Sequence, residues 1–385
     1  MKKGWEYKKL GEVCEVVTGT TPKTNIPEYW GKGHYWVTPA ELNDTTVYID
    51  KTERQITDEA LSKTKLRLLP VGTVLLSSRA PIGKVAIANA EMYCNQGFKN
   101  CICSEAIYNK YLFYFLRLKK DYLNSLGRGA TFKEISKSIV ESIKIPLPPL
   151  STQLAIVSEL DKINELIRLK KEQLKDFDNL AQSLFYEMFG DPVENEKGWE
   201  VKKLEEIAKS AIGLTYKPEN VTEELSGTVV LRSSNIQNSI LDFNDIVRVN
   251  VLVKEDKMVN DGDILMCSRN GSFRLVGKVA LIKGLKERMS YGAFMTIIRS
   301  PYNPYLFEYF KTPAFRQYLI TGKTTTVNQI TVKMLNNLTL PLPPLSLQRL
   351  FAQRIEQIER EKSEVQKSIQ DLETLLASRM QYWFE

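Results

Sequence analysis

Ile145-Pro146-Leu147-Pro148-Pro149-Leu150-Ser151-Thr152-Gln153 opens a long polar–apolar stretch that runs to Phe189. The same text returns 195 residues later as Leu340-Pro341-Leu342-Pro343-Pro344-Leu345-Ser346-Leu347-Gln348, again followed by a helical pattern. That period is far longer than the roughly twenty to fifty residues of a solenoid repeat. It signals two copies of one unit, each a globular segment plus a long helix. The starts of the copies agree too, as Gly4-Trp5-Glu6-Tyr7-Lys8-Lys9-Leu10 and Gly198-Trp199-Glu200-Val201-Lys202-Lys203-Leu204.

Between Leu150 and Gly190 no Pro or Gly interrupts the chain, so about ten turns of helix form without a breaker. Ser151 suits the N-cap after an extended Pro-rich segment. Apolar residues recur at Ile156, Leu160, Ile163, Ile167, Leu174, Phe177, Ala181, Leu184 and Met188, with Lys170 where one more is due. The second stretch gives Phe351, Ile355, Ile358, Val365, Ile369, Leu372 and Leu376, with Lys362 as its break. Steps of four and three make a heptad seam, which needs a partner helix. The nearest partner for each helix is the other. Antiparallel packing of two rods about 58 Å long would put the globular segments at opposite ends, and parallel packing at the same end. A plain coiled-coil scaffold would carry the same seam; the duplicated globular segments favour a spacer between two readers. Phe185, Tyr186, Tyr382, Trp383 and Phe384 lie beyond one seam and suggest either partner surface or packing on the neighbouring domain.

The expected fold class is α/β (α+β), in four pieces: globular domains 1–150 and 191–345, and long helices 151–190 and 346–385. With 385 residues and 43% hydrophobic content there is material for two cores. A net charge of +7 permits a nucleic-acid partner without demanding one. Five cysteines without framework spacing read as free thiols of a reducing compartment. No signal peptide or long apolar run appears, so a cytoplasmic location with no membrane contact is expected. A single histidine, His34, rules out a multi-His metal site within the chain, and it reads as a surface or loop residue rather than as the base of a Ser-His-Asp or Cys-His site.

The two copies converge at a turn and buried strand, Val71-Gly72-Thr73-Val74-Leu75-Leu76-Ser77-Ser78-Arg79 and Asp261-Gly262-Asp263-Ile264-Leu265-Met266-Cys267-Ser268-Arg269. Each strand delivers a Ser and an Arg onto a loop ending in Lys84 or Lys278, the second loop being four residues longer and carrying Asn270 and Arg274. That insertion makes position-by-position transfer between the loops doubtful. Polar loops follow at 127–133, with Arg128, Thr131 and Lys133, and at 322–329, with Lys323, Thr324, Asn328 and Gln329. The stretches 18–60 and 213–257 have diverged; they add Thr21 and Lys23, and Arg232 and Ser233. Arg and Lys donate to phosphates and guanine edges, while Asn and Gln pair bidentately with adenine. Arg79 and Arg269, at matching strand ends, form the best single pair of DNA contacts; the competing role is an ion pair inside each domain.

Enzyme motifs fail on inspection. Gly322-Lys323-Thr324 has the tail of a phosphate loop, but the Gly it needs upstream falls at Gln317. Asp191-Pro192 before Glu200-Val201-Lys202 imitates a nuclease, yet the first copy has no matching Asp. Asn303-Pro304-Tyr305 lacks the second Pro of an amino-methyltransferase motif.

With its two Pro-Leu-Pro-Pro-Leu-Ser-x-Gln helix openings, two Gly-Trp-Glu-x-Lys-Lys-Leu starts and two Ser-Arg strand ends, the chain resembles the specificity subunit of a type I restriction-modification system over essentially its whole length. The resemblance implies two target recognition domains, each reading half of a bipartite asymmetric site in double-stranded DNA. It implies antiparallel helices that act as a ruler and dock two modification subunits, which bind S-adenosylmethionine and methylate adenine. Restriction subunits with ATP- and Mg-dependent activity would complete the enzyme. No cofactor, metal or catalytic residue is expected in this chain. The seam residues Leu160, Ile163, Ile167, Leu174, Phe177, Leu184, Ile355, Ile358, Val365, Ile369, Leu372 and Leu376 would form the coiled coil. Free of partners, the chain could self-associate through its exposed helix faces. The competing class is a structural adaptor with no DNA affinity.

Overall fold

A computed structural model describes residues 5–129, 133–321 and 328–385. The chain forms two compact units, one of Met1–Lys171 with Lys367–Glu385, the other of Glu172–Gln366. These cut across the linear division expected from sequence. The reason is that both long helices, Leu150–Phe189 and Leu345–Phe384, contribute to both units.

Within each unit the two repeated motifs pair with one another. Glu6–Lys9 runs antiparallel to Lys144–Leu147, with Tyr7 opposite Pro146. Glu200–Lys203 does the same with Thr339–Leu342, placing Val201 opposite Pro341. Proline is tolerated because a two-stranded ladder consists only of edges. The shared text is therefore the clasp that closes each domain.

In the first unit a five-stranded sheet has the order Cys14–Thr18, Lys99–Cys103, Val74–Leu76, Val85–Ala88, Tyr48–Ile49. A three-stranded sheet centres on Trp30–Val37. In the second unit a four-stranded sheet runs Lys209–Ile212, Met295–Arg299, Ile264–Cys267, Val279–Leu281, matching the first four strands of its counterpart. A second four-stranded sheet and a hairpin fill the diverged region. The central strands Val74–Leu76 and Ile264–Cys267 are buried at every residue, which explains their uninterrupted apolar text.

The helices pack in opposite directions within each unit. Glu159 pairs with Arg379, and Lys171 with Glu373, in the first; Asp178 pairs with Lys362, and Phe185 packs on Phe351, in the second. As the partner number rises along one helix it falls along the other. Seam residues face inward: Leu160, Ile163, Ile167, Leu184, Ile358, Val365 and Ile369 are buried, and Leu174, Phe177, Ile355, Leu372 and Leu376 are half-buried. Lys362 survives in the seam because Asp178 and Glu359 lie 2.8 and 3.1 Å from its ammonium. Burial pulls that ammonium's pKa down, and the two carboxylates more than offset this, leaving it above the ordinary lysine value.

The terminal aromatics mostly plug the domain cores. Phe384 is 3% exposed with its ring 5.0 Å from Tyr111. In the other unit Phe189 takes the same place against Tyr305, also at 5.0 Å. Phe185 is buried beside it, and Trp383 stacks on Trp5 at 6.2 Å. Of the five aromatics read as either partner surface or domain packing, only Tyr382 is substantially exposed.

Candidate nucleic-acid interface

The ladders fix which residues correspond at the strand ends. Ser77 N–H donates to the Lys84 carbonyl, and Gly83 N–H to the Ser77 carbonyl. Cys267 to Lys278, and Gly277 to Cys267, repeat these bonds. So Lys84 matches Lys278, and the insertion lies wholly between Arg269 and Gly277. It folds as a short turn, Phe273–Leu275, that carries Arg274 exposed at the surface.

Several residues expected to touch DNA make hydrogen bonds within the loops. Ser77 and Ser78 are fully buried, and Ser268 is 7% exposed. Ser77 Oγ donates to the Pro81 carbonyl and accepts from Lys84 N–H, both at 2.8 Å. Ser268 Oγ donates to Thr296 Oγ1. Lys84 Nζ donates to the Pro39 carbonyl at 3.0 Å, and Lys278 Nζ to the Ser233 carbonyl at 3.3 Å. Each lysine thus ties its strand-end loop to a neighbouring turn. Arg232 pairs with Asp245 at 2.8 Å, and Ser233 Oγ accepts from Asn270 Nδ2 at 3.2 Å. Thr21 Oγ1 accepts from Gln96 N–H.

Arg79 is also engaged. Its Nε lies 2.9 Å from Glu134, whose other oxygen takes Lys99 Nζ at 3.0 Å. The Lys99 side chain is only 6% exposed. Burial pushes the Glu134 carboxyl's pKa up; Lys99 and then Arg79 outweigh it, so the value lies below the ordinary one. A depressed carboxyl contributes stability above its unfolded pKa and loses it as pH falls through the folded value. Glu134→Gln is expected to cost about 1 kcal/mol at neutral pH, the side chain being one-third open to solvent. The gap between wild type and variant should close below the ordinary carboxylate range of about pH 4.3. Thermal melts across that range check this, and a gap that persists in acid would refute the ion-pair account.

Arg269 differs. Its partner on the ladder is Gln329, not a carboxylate, and its guanidinium lies 5.2 Å from the centre of the Phe294 ring. Beside it Asn270 N–H donates to the Asn328 carbonyl, and Asn328 Nδ2 to the Gly271 carbonyl. Lys23, Arg128, Lys133, Arg269 and Arg274 are exposed cations with no ion pair among the described residues. Thr131, Lys323 and Thr324 lie outside the described residues. Phe294, Glu134 and Lys99 were not singled out from sequence. Text alignment pairs Phe98 with Phe294, whereas the ladder puts Gly97 at that place, since Ser78 and Ser268 N–H donate to the Gly97 and Phe294 carbonyls.

Both repeats match the type I restriction modification DNA specificity domain, over residues 2–176 and 196–374. The chain belongs to the type I restriction-modification specificity family. The MjaIX specificity subunit of Methanocaldococcus jannaschii is 35% identical over 285 residues, covering 68% of this chain and 66% of that protein, just under two thirds of its length. The EcoKI specificity subunit of Escherichia coli is 23% identical, over 96% of this chain and 85% of that one. The S subunit structure from M. genitalium shares the fold at 15% identity and a TM-score of 0.53, covering 99% of this chain and 96% of that one. A chain from work on assembly and conformational transition of the type I R-M system reaches 0.66 at 21% identity, covering 99% and 97%. This is the duplicated DNA-specificity architecture that the Pro-rich repeat suggested. Among the described residues no helix is long and apolar enough to cross a membrane.

Proposed function

We propose that this chain is a non-catalytic specificity subunit in which each unit reads one half of a bipartite, asymmetric DNA target. The long helices set the gap between half-sites and dock two modification subunits. Those partners supply S-adenosylmethionine and the methyl-transfer chemistry, and restriction partners supply the steps that need ATP and Mg. The observation that carries the reading is one strand-end framework used twice with different outward residues. Arg128 and Lys133 occupy one copy; Arg269 and Arg274 occupy the other. Shared framework suits two like partners, and unlike loops suit unlike half-sites.

The helix grooves support paired docking. In the first unit Ile163, Lys162, Glu159, Leu375 and Arg379 line a groove of ≈ 550 Å³. Shifted by the 195-residue repeat these become Ile358, Gln357, Arg354, Leu180 and Leu184, all of which line a groove of ≈ 310 Å³ in the second unit. Each presents one half-exposed leucine, Leu375 or Leu180.

The test maps adenine methylation across host DNA with this gene present and deleted, the modification partner being expressed. Loss of one bipartite asymmetric motif on deletion is the expected result, with a purified complex whose native mass contains two modification subunits. An unchanged methylation pattern beside an active partner would defeat the reading.

A further inference from the structure

We infer that Arg269, laid over the Phe294 ring, reads a guanine in the half-site of the second unit, and that Glu134 withdraws the matching Arg79 from base reading in the first. The inference rests on the DNA-reading role proposed above.

Three substitutions separate the matched strand ends, and they act together. Where the first unit has Gly97, Lys99 and Glu134, the second has Phe294, Thr296 and Gln329. In the first, a buried lysine needs a carboxylate, and that carboxylate also captures Arg79. In the second, Thr296 replaces the lysine and accepts a hydrogen bond from Ser268. No buried cation then requires a carboxylate, and the neutral Gln329 stands where Glu134 would be. Arg269 meets a ring and, among the described residues, no counter-ion.

The ring is placed for use. Phe294 is 58% exposed, although its carbonyl accepts both Ser268 N–H at 2.9 Å and Arg269 N–H at 3.1 Å. Ring and guanidinium therefore ride on the same two strand ends, Ile264–Cys267 and Met295–Arg299. The exposed Phe294 ring leaves one face open beside the Arg269 guanidinium. A guanidinium lying on an aromatic face loses rotational freedom but keeps its edge N–H groups open. That fork has donors only, and guanine presents two acceptors, O6 and N7, in the major groove. Adenine sets a donor beside its acceptor and would be refused. The first unit has no ring at this place, and a Cβ on Gly97 would lie 3.0 Å from Asn95 Oδ1, so a side chain there would have to push Asn95 aside.

The test uses the full chain assembled with its modification partner, comparing methylation motifs of wild type, Arg269→Lys, Phe294→Leu, Gln329→Glu and Arg79→Lys. Arg269→Lys should relax one guanine position in one half-site, with discrimination falling roughly ten- to hundredfold. Phe294→Leu and Gln329→Glu should relax the same position, the latter by installing the carboxylate that holds Arg79. Arg79→Lys should leave every position intact. The other half-site is an internal control for folding and assembly. A motif unchanged by Arg269→Lys, with binding merely weaker on all sequences, would mean a phosphate contact and overturn the inference. So would relaxation by Arg79→Lys. A wild-type complex that directs no motif would instead defeat the proposed function.

Discussion

Replacing Phe384 by alanine should lower the stability of the first unit by about 3–5 kcal/mol, the range for a large aromatic removed from a core. Phe189→Ala should do the same in the second. Phe384 packs on Tyr111 and Phe115 at 5.0 and 5.9 Å; Phe189 packs on Tyr305, Phe351 and Phe185 at 5.0, 4.9 and 5.2 Å. Each ring sits at the end of a helix contributed by the other repeat and fills the domain it reaches. Its loss opens a cavity and also loosens the helix that delivers it. Phe384→Leu should recover most of the loss, because the volume is largely restored. Chemical denaturation of wild type and the three variants measures both effects. A cost below about 1 kcal/mol for Phe384→Ala would show that the ring is dispensable.

The exchange of helix ends is a long-range feature that local spacing does not report. Repeat, seam and strand ends are local patterns, and each was readable from spacing. Which repeat a helix end serves is decided by contacts far apart in sequence, such as Phe384 with Tyr111. Burial at a strand end was illegible for a similar reason. Ser77 and Ser78 are polar and follow a buried strand, which is equally the text of a contact loop; only the bonds to Pro81, Lys84 and Lys99 show them turned inward. The fate of Arg79 hung on Glu134, 55 residues away, and that of Arg269 on having Gln329 instead. The ion-pair alternative, weighed for both arginines, holds for one.

The Pro-rich repeat itself carries the second large effect, and it should differ between copies. Gln153 and Gln348 occupy the same motif position, and both are buried. Gln153 is saturated. Its Oε1 accepts Tyr108 N–H at 2.8 Å, and its Nε2 donates to the Ala106 and Pro148 carbonyls at 3.0 and 2.9 Å. It bolts the turn before one domain helix to the Pro-rich entry of the long helix, where Pro148 and Pro149 bring acceptors and no donors. Gln348 Nε2 donates to the Pro343 carbonyl at 2.6 Å, but its Oε1 has no partner among the described residues. Methionine has nearly the volume of glutamine and no hydrogen bonds, so it isolates the polar contribution from a cavity. Gln153→Met strands three main-chain groups, that of Pro148 buried and the other two partly so, and should cost about 2–4 kcal/mol. Gln348→Met strands one and also removes that buried acceptor, so its cost should be about 1 kcal/mol or less. Denaturation midpoints of the two variants, measured at fixed chain concentration, decide the matter. Equal costs would mean that the motif glutamine acts through packing, and the reverse order would mean that the second copy, not the first, depends on its polar clasp.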